Sequence, residues 1–338
     1  MTTKTLGTGE YRLSSDYLIL LGELAFERGI SMATLLEGTG LPENLMFLPN
    51  TQVGHESALK LIDNFCEAAG SACALEFGKR MTLSKHGALG YAAQYSATIE
   101  DAADKIERYL ETRVQLFEIR RENDNSSRHM YINTRTQDSR AGDFMILAFL
   151  SSVETICRTL VGENAKDAHS MIQIRSGGNM LEQTVLPHCT VYSRAPVNCL
   201  TWPRKPLEGL LPFFNPTLEN LADTELKQAL SSVNETNTMA GKVREILNDH
   251  LAEMPTVEDV AGMLFMSAAT LNRKLKAEQR SFQQIKDELR YTKAQRLLKD
   301  TKLSVDQIAD QLGYSDASNF AKAFKNWAGV SPSQFRQQ

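Results

Sequence analysis

Two short segments near the end of the chain carry residue types that read or hold a nucleic acid: Asn272, Arg273 and Lys276 in one, and Ser318, Asn319, Lys322 and Lys325 in the other. Arginine and asparagine form paired hydrogen bonds with base edges in a major groove, and lysine neutralises phosphate. Each set lies opposite an apolar pair four residues apart, Leu271 with Leu275 and Phe320 with Phe324, so the polar sets point outward on predicted helices. Ala269 shares the outward side of the first. A lone surface lysine is usually just a solvated charge; a repeat makes these residues candidates for DNA contact.

The repeat is VEDVAGMLFMS from Val257 and VDQIADQLGYS from Val305, offset by 48 residues. Each copy opens with a capping signature, Thr256 with Asp259 and Ser304 with Gln307, where a hydroxyl takes up free N–H groups of a first helical turn. Ala261 and Ala309 let two helices approach closely, and Gly313 permits a tight turn between them. The pattern predicts two helix-turn-helix units, at about 257–278 and 305–328, with the second helix of each reading DNA. Phe320, Phe324 and Trp327 read as core, because aromatics at helical spacing on an amphipathic helix seldom form a stacking platform.

Between the copies, residues 281–299 carry Phe282, Ile285, Leu289, Tyr291, Ala294 and Leu297 at helical spacing, which predicts one linking helix roughly 25 Å long at 1.5 Å per residue. Such a strut would set the two reading helices about 34 Å apart, one turn of DNA. Ser331, Pro332 and Gln334 predict a short final helix that packs Phe335 on the second unit.

Charge distribution agrees. The 338-residue chain has net charge −4, yet from residue 238 onward 15 Lys and Arg face 12 Asp and Glu. An acidic body thus carries a mildly basic end, where a DNA footprint belongs. With 42 % hydrophobic residues the chain is globular and long enough for two or three domains. It has no run of about 18 uncharged apolar residues and no apolar leader, so a cytoplasmic protein without a membrane span is expected. Five cysteines without C-x-x-C spacing predict reduced, inert thiols, no metal and no cofactor.

The N-terminal part reads as mixed α and β: helices at 13–28, 32–37, 55–69, 98–112 and 140–160, strands at 114–120, 129–134, 171–175 and 189–192, and a proline-rich passage at 196–216. A helix at 219–232 follows, then a polar stretch that predicts a linker. The expected architecture is an α+β domain over 1–230, a linker at 231–240, and an all-α domain over 241–338 with two helix-turn-helix units on a linking helix.

QIADQLGYSDASNFAKAFKNWAGVSPSQFR, from Gln307 to Arg336, resembles the signature of AraC/XylS-type transcription regulators nearly residue for residue. The resemblance spans about 240–338. LLEGTGL from Leu35, GALGY from Gly87 and SATIEDA from Ser96 are similar, more loosely, to the arabinose-binding-like sensor domain of the subgroup that includes the ornithine-utilisation regulator. Many relatives carry a basic or large residue at the Ala269 position and glycine at that of Gln279, so base contact through the first unit should rest on Asn272 and Arg273.

The resemblance implies a homodimeric, ligand-responsive regulator, more an activator than a repressor, with double-stranded promoter DNA, RNA polymerase and a small-molecule effector as partners and no catalytic residue. His86, Tyr91, Gln94 and Arg175 are the candidate pocket groups, since a pocket needs a few polar groups in an apolar wall; each, with His188, also reads as a satisfied structural residue. Two alternatives stay open. One is a DNA-binding factor controlled by a protein partner; the other is an enzyme with an appended DNA-binding tail, against which the unpaired cysteines argue.

Overall fold

A computed structural model of the chain describes residues 5–70, 73–177, 185–250, 254–301 and 303–336. Its contacts divide it into two compact units, Met1–Leu230 and Ser231–Gln338.

In the first unit, strands β1 (Thr5–Leu6), β2 (Arg12–Ser14) and β3 (Gln52–Gly54) form a small sheet in the order β1-β3-β2. Strands of two or three residues are too short for alternation to reveal. The larger sheet comprises β4 (Phe117–Asn123), β5 (Ser127–Thr134), β6 (Ser170–Gln173), β7 (Cys189–Tyr192) and β8 (Cys199–Pro203), in the order β4-β5-β8-β6-β7. Its central strand β8 lies inside the proline-rich passage, with Pro203 confined to the strand's last residue, where a missing N–H costs least.

The β4–β5 hairpin is shifted from the sequence expectation. Asp124 Oδ1 accepts from the backbone N–H groups of Ser126 and Ser127, both at 2.7 Å. The turn therefore closes after Asn123, which pairs with Arg128, and Val114 makes only an isolated bridge to Leu13.

One face of this sheet packs on α7 (Arg140–Val161), the longest apolar helix. Long and apolar enough by composition to cross a membrane, it has 72 % of that stretch buried inside the fold, as a core helix does. Phe144 on α7 meets Phe65 of α3 (His55–Ala69) and Phe77 of α4 (Ala74–Arg80) at 5.7 and 5.6 Å. A Cβ on Gly78 would lie 2.2 Å from the Ala148 carbonyl oxygen, so the α4–α7 approach requires glycine. Helices α1 (Ser15–Glu27), α2 (Met32–Leu36), α5 (Ala88–Gln94) and α6 (Ile99–Tyr109) also belong to this unit, α6 starting with a capping box of Thr98 and Asp101.

The two units divide at Leu230 and Ser231, where the expected linker at 231–240 begins, and that stretch is helical. Helix α8 (Pro216–Asn237) runs through it, and Thr238 caps α9 (Met239–Asp249), its Oγ1 accepting from Gly241 N–H at 3.0 Å. Residues 217–237 contain neither Gly nor Pro, and polarity alone does not stop a helix.

The second unit is all-α. Helices α10 (Val257–Met263) and α11 (Ala268–Ala277) form the first pair, α12 (Phe282–Asp300) follows, α13 (Val305–Gln311) and α14 (Ala317–Ala328) form the second pair, and α15 (Pro332–Arg336) closes. Each pair has its own core. Val243, Leu247, Val260, Leu271, Leu275, Ile285 and Leu289 fill the first; Ala294, Leu298, Ile308, Leu312, Phe320 and Phe324 fill the second.

Helix α12 thus lends Ile285 and Leu289 to one core and Ala294 and Leu298 to the other. The step of nine residues from Ile285 to Ala294 makes about two and a half turns at 3.6 residues per turn, which sets the two apolar stripes on opposite sides of the helix. The apolar residues of the expected linking helix therefore form two half-length faces, one for each core.

Candidate nucleic-acid interface

The second helix of each pair is held from behind and capped in front. In the first, Thr256 and Asp259 make the capping box of α10, and Ser267 caps α11 by accepting from Thr270 N–H at 3.2 Å. Leu271 and Leu275 are buried, so Ala269, Asn272, Arg273 and Lys276 all stand exposed on the other side.

In the second pair, Ser304 and Gln307 cap α13, and Asp316 Oδ1 caps α14 by accepting from Asn319 N–H at 2.7 Å. Phe320 and Phe324 are fully buried, leaving Ser318, Asn319, Lys322 and Lys325 exposed. The Asn319 amide donates to Ser315 Oγ at 3.1 Å and to Asp316 Oδ2 at 2.7 Å. Both its N–H groups are thereby committed within the protein, and its carbonyl oxygen is what it can offer to a base donor. Asn326, exposed one turn after Lys322, belongs to the same outward side; its i, i+4 spacing was the available signal.

The turn of the second pair is clamped to α12. Arg290 donates from Nε to the Leu312 carbonyl and from Nη2 to that of Gly313, both at 3.1 Å, while its guanidinium lies 4.3 Å from the Tyr314 ring centre. Gly313 has φ +68°, a conformation glycine adopts without cost. At the matching turn of the first pair stands Phe265, with φ +53° and 97 % exposed.

The four candidate pocket groups of the first unit are not brought together. His86 is buried between the Tyr17 hydroxyl, 2.9 Å from Nδ1, and the Met81 carbonyl and Ser152 Oγ, 3.2 and 3.1 Å from Nε2. Burial, then the nearby Arg113 charge, pushes its pKa down to about 4, so at neutral pH it is an uncharged member of an internal network beside an apolar cavity of about 40 Å³. Arg175 instead lines a polar hollow of about 320 Å³ with Asn198 and with Glu118, Arg120, Tyr131 and Asn133, the last four being strand positions that alternate with buried Phe117 and Ile132 and so face away from α7. Tyr91 and Gln94, on α5, line neither.

Burial also pushes the thiols of Cys66 and Cys157 up to about 12 and that of Cys189 to about 11. A thiol in that range stays protonated and is a poor nucleophile at neutral pH.

Paired helix-turn-helix units that share a helix and expose Arg, Asn and Lys on their second helices define a DNA-binding transcriptional regulator. The chain matches two family models, "Arabinose-binding domain of AraC transcription regulator, N-term" over residues 29–208 and "Helix-turn-helix domain" over 260–338. It belongs to the AraC family of transcription regulators, proteins that bind promoter DNA.

Among similar proteins, the ornithine utilization regulator of Pseudomonas aeruginosa is 24 % identical over 322 residues, 95 % of each chain. An HTH-type transcriptional regulator of Mycobacterium tuberculosis is 25 % identical over 332 residues, 94 % of each. The crystal structure of the transcriptional regulator CdpR from Pseudomonas aeruginosa aligns with 19 % identity and a TM-score of 0.46, covering 96 % of this chain and 98 % of that one.

Proposed function

We propose that this regulator works as a homodimer in the cytoplasm, more often activating than repressing, and that its N-terminal unit binds a small-molecule effector which controls how the C-terminal unit engages double-stranded promoter DNA and RNA polymerase. One observation carries the DNA-binding half of the reading: Ala269, Asn272, Arg273 and Lys276 on α11, and Ser318, Asn319, Lys322 and Lys325 on α14, form two solvent-exposed faces on helices whose buried sides rest on the same α12.

Each face is a modest binder alone. Held on one body they act at high effective concentration, and a dimer doubles this to four probes, so a weakly basic unit suffices. The effector acts by binding one dimer or domain arrangement better than another, which shifts the population that fits the promoter.

The deciding experiment is selection of bound fragments from a genomic library by the full chain, then gel-shift titration of the enriched sequences. The reading expects a common motif with two half-sites about one helical turn apart; a chain that enriches no sequence defeats it.

Control by a protein partner is a second reading, favoured by one observation. Leu210, Phe213, Phe214, Leu218 and Leu221, on the approach to α8 and in its first turns, are large apolar side chains left exposed, and such patches mark interaction surfaces. Calorimetry against fractionated metabolite pools separates the two: saturable heat with one pool supports the effector, and none with any pool supports the partner.

A further inference from the structure

The hollow that Arg175 lines, on the side of the larger sheet away from α7, has about 320 Å³, eight times the volume of the apolar cavity of about 40 Å³ beside His86. Strand register arranges its walls. Tyr131 of β5 and Gln173 of β6 both pair with Cys199 of β8, so Asn133 and Arg175, each two residues further on, stand level on the same face. Glu118 of β4 is directly opposite Asn133. A row of Glu118, Asn133 and Arg175 thus crosses the hollow, with a carboxylate at one end and a guanidinium at the other.

Arg175 is anchored while the tip of its guanidinium stays unused. Its backbone N–H donates to Asn198 Oδ1 at 2.8 Å and its Nε to the Pro196 carbonyl at 3.1 Å, which leaves Nη1 and Nη2 without a partner among the described residues. The Asn133 amide is likewise without a partner among them. The neighbouring Arg120, by contrast, is already engaged: it meets Glu122 and lies 4.5 Å from the centre of the Tyr131 ring. All three side chains of the row are exposed, so a solute that enters the hollow reaches their polar atoms.

Charge decides what kind of solute. Arg175 forms no ion pair among the described residues, and its planar fork of N–H donors fits the two oxygens of a carboxylate. Glu118 is only loosely paired, its Oε1 lying 3.8 Å from an Arg135 that also serves Glu111 at 3.0 Å. The far end of the row therefore offers an acceptor and repels a second negative charge, which disfavours phosphate, with its charge near −2. A monocarboxylate whose other end donates hydrogen bonds matches both ends. At about 4.8 Å per strand the row spans roughly 14 Å of backbone, less between side chains that both reach the hollow, and a body of a few carbons closes that gap.

We propose that this hollow is the effector site of the N-terminal unit and that it takes a small monocarboxylate with a hydrogen-bond donor at its other end: the carboxylate accepts from Arg175 Nη1 and Nη2, the middle lies along Asn133 and Val197, and the donor reaches Glu118. This rests on the reading of that unit as a sensor. Residue type alone singled out Arg175; Glu118 and Asn133, 57 and 42 positions before it, join it only through the order β4-β5-β8-β6 of the sheet.

The test is calorimetric titration of the full chain with succinamate, a monocarboxylate that ends in an amide NH2. Two close analogues separate its ends: succinamide replaces the carboxylate with a neutral amide, and 4-oxopentanoate replaces the NH2 with a methyl group of similar size. Succinamate is expected to give saturable heat, 4-oxopentanoate weaker binding and succinamide none. Arg175→Ala should weaken succinamate binding about tenfold or more, and Glu118→Ala should make the two carboxylates bind equally. Both replaced side chains are exposed, so neither variant disturbs the core.

Absence of saturable heat with succinamate overturns the proposal; so does equal binding of succinamide or inorganic phosphate, or an Arg175→Ala variant of unchanged affinity. A Glu118→Ala variant that still prefers succinamate to 4-oxopentanoate overturns the placing of the donor end. The metabolite-pool calorimetry keeps this site apart from the sensor reading. A pool that binds wild type and Arg175→Ala alike rejects this site and leaves the sensor standing, whereas no heat with any pool rejects the sensor itself.

Discussion

The two helix-turn-helix units descend from one pattern, yet they are stabilised differently. The second buries Phe320 and Phe324 and surrounds them with Tyr291, Tyr314, Trp327 and Phe335, at ring distances of 5.3 to 5.8 Å for the pairs these two phenylalanines make. Its turn has glycine where the backbone is left-handed, and Arg290 clamps two turn carbonyls. The first has an aliphatic core, and its turn forces Phe265 into the left-handed region with its ring in solvent. Gln279, after α11, is likewise left-handed at φ +58°, whereas Gly329 ends α14 at φ +75°. A repeat can therefore keep its geometry while one copy carries more backbone strain.

The largest expected effect lies in the cores. Phe324→Ala should cost about 3–5 kcal/mol and Leu271→Ala about 2–5 kcal/mol, read by urea unfolding of the full chain carrying Trp202→Phe, so that the fluorescence is that of Trp327. If Leu271→Ala proved the costlier, the aromatic core would not be the stronger of the two.

Next comes the clamp. Replacing Arg290 with Met removes two charged hydrogen bonds and a ring contact, a loss of about 1.5–3 kcal/mol, while Lys242→Met at the matching position of the first unit, exposed on α9, should change stability by less than about 0.5 kcal/mol. Comparable losses in the two variants would erase the asymmetry.

In DNA binding, Arg273→Ala on the first unit should weaken operator binding by about 1–3 kcal/mol and relax preference at one base position, whereas Lys325→Ala on the second should weaken all sequences alike and flatten the salt dependence. Gel-shift titrations across operator variants check both; wild-type affinity for the Arg273 variant rejects its assignment.

The smallest effect has opposite signs in the two turns. Gly313→Ala places a side chain in left-handed backbone and should cost about 1–2 kcal/mol. Phe265→Gly relieves that strain against the entropy glycine brings, for a net gain of about 0.5 kcal/mol. Denaturant midpoints that fall for both variants would show that Phe265 makes a contact worth its strain.

What the sequence revealed followed the range of the interactions. Capping signatures at Thr256, Ser304 and Ser331 involve residues three apart, and apolar pairs such as Leu271 and Leu275 are four apart, so the helices of the second unit and their outward residues were readable. Strand β8 was not, because its place between β5 and β6 depends on partners some 30 and 70 positions away. The helical form of the expected linker was hidden for the same reason: a polar stretch looks weakly patterned locally, yet nothing in 217–237 breaks a helix. His86 looked like a ligand group because sequence displays a side chain's chemistry but not the Tyr17, Met81 and Ser152 atoms that already occupy it.

The opposed stripes of α12 have a mechanical consequence. A helix that walls two cores at once has no soft joint between Leu289 and Ala294 at which one probe could be re-aimed without disturbing a core. Under the proposed reading, any mismatch between protein and promoter must then be absorbed by the duplex. The stiffness of base steps lying between half-sites, never touched by a side chain, would become part of what this regulator selects.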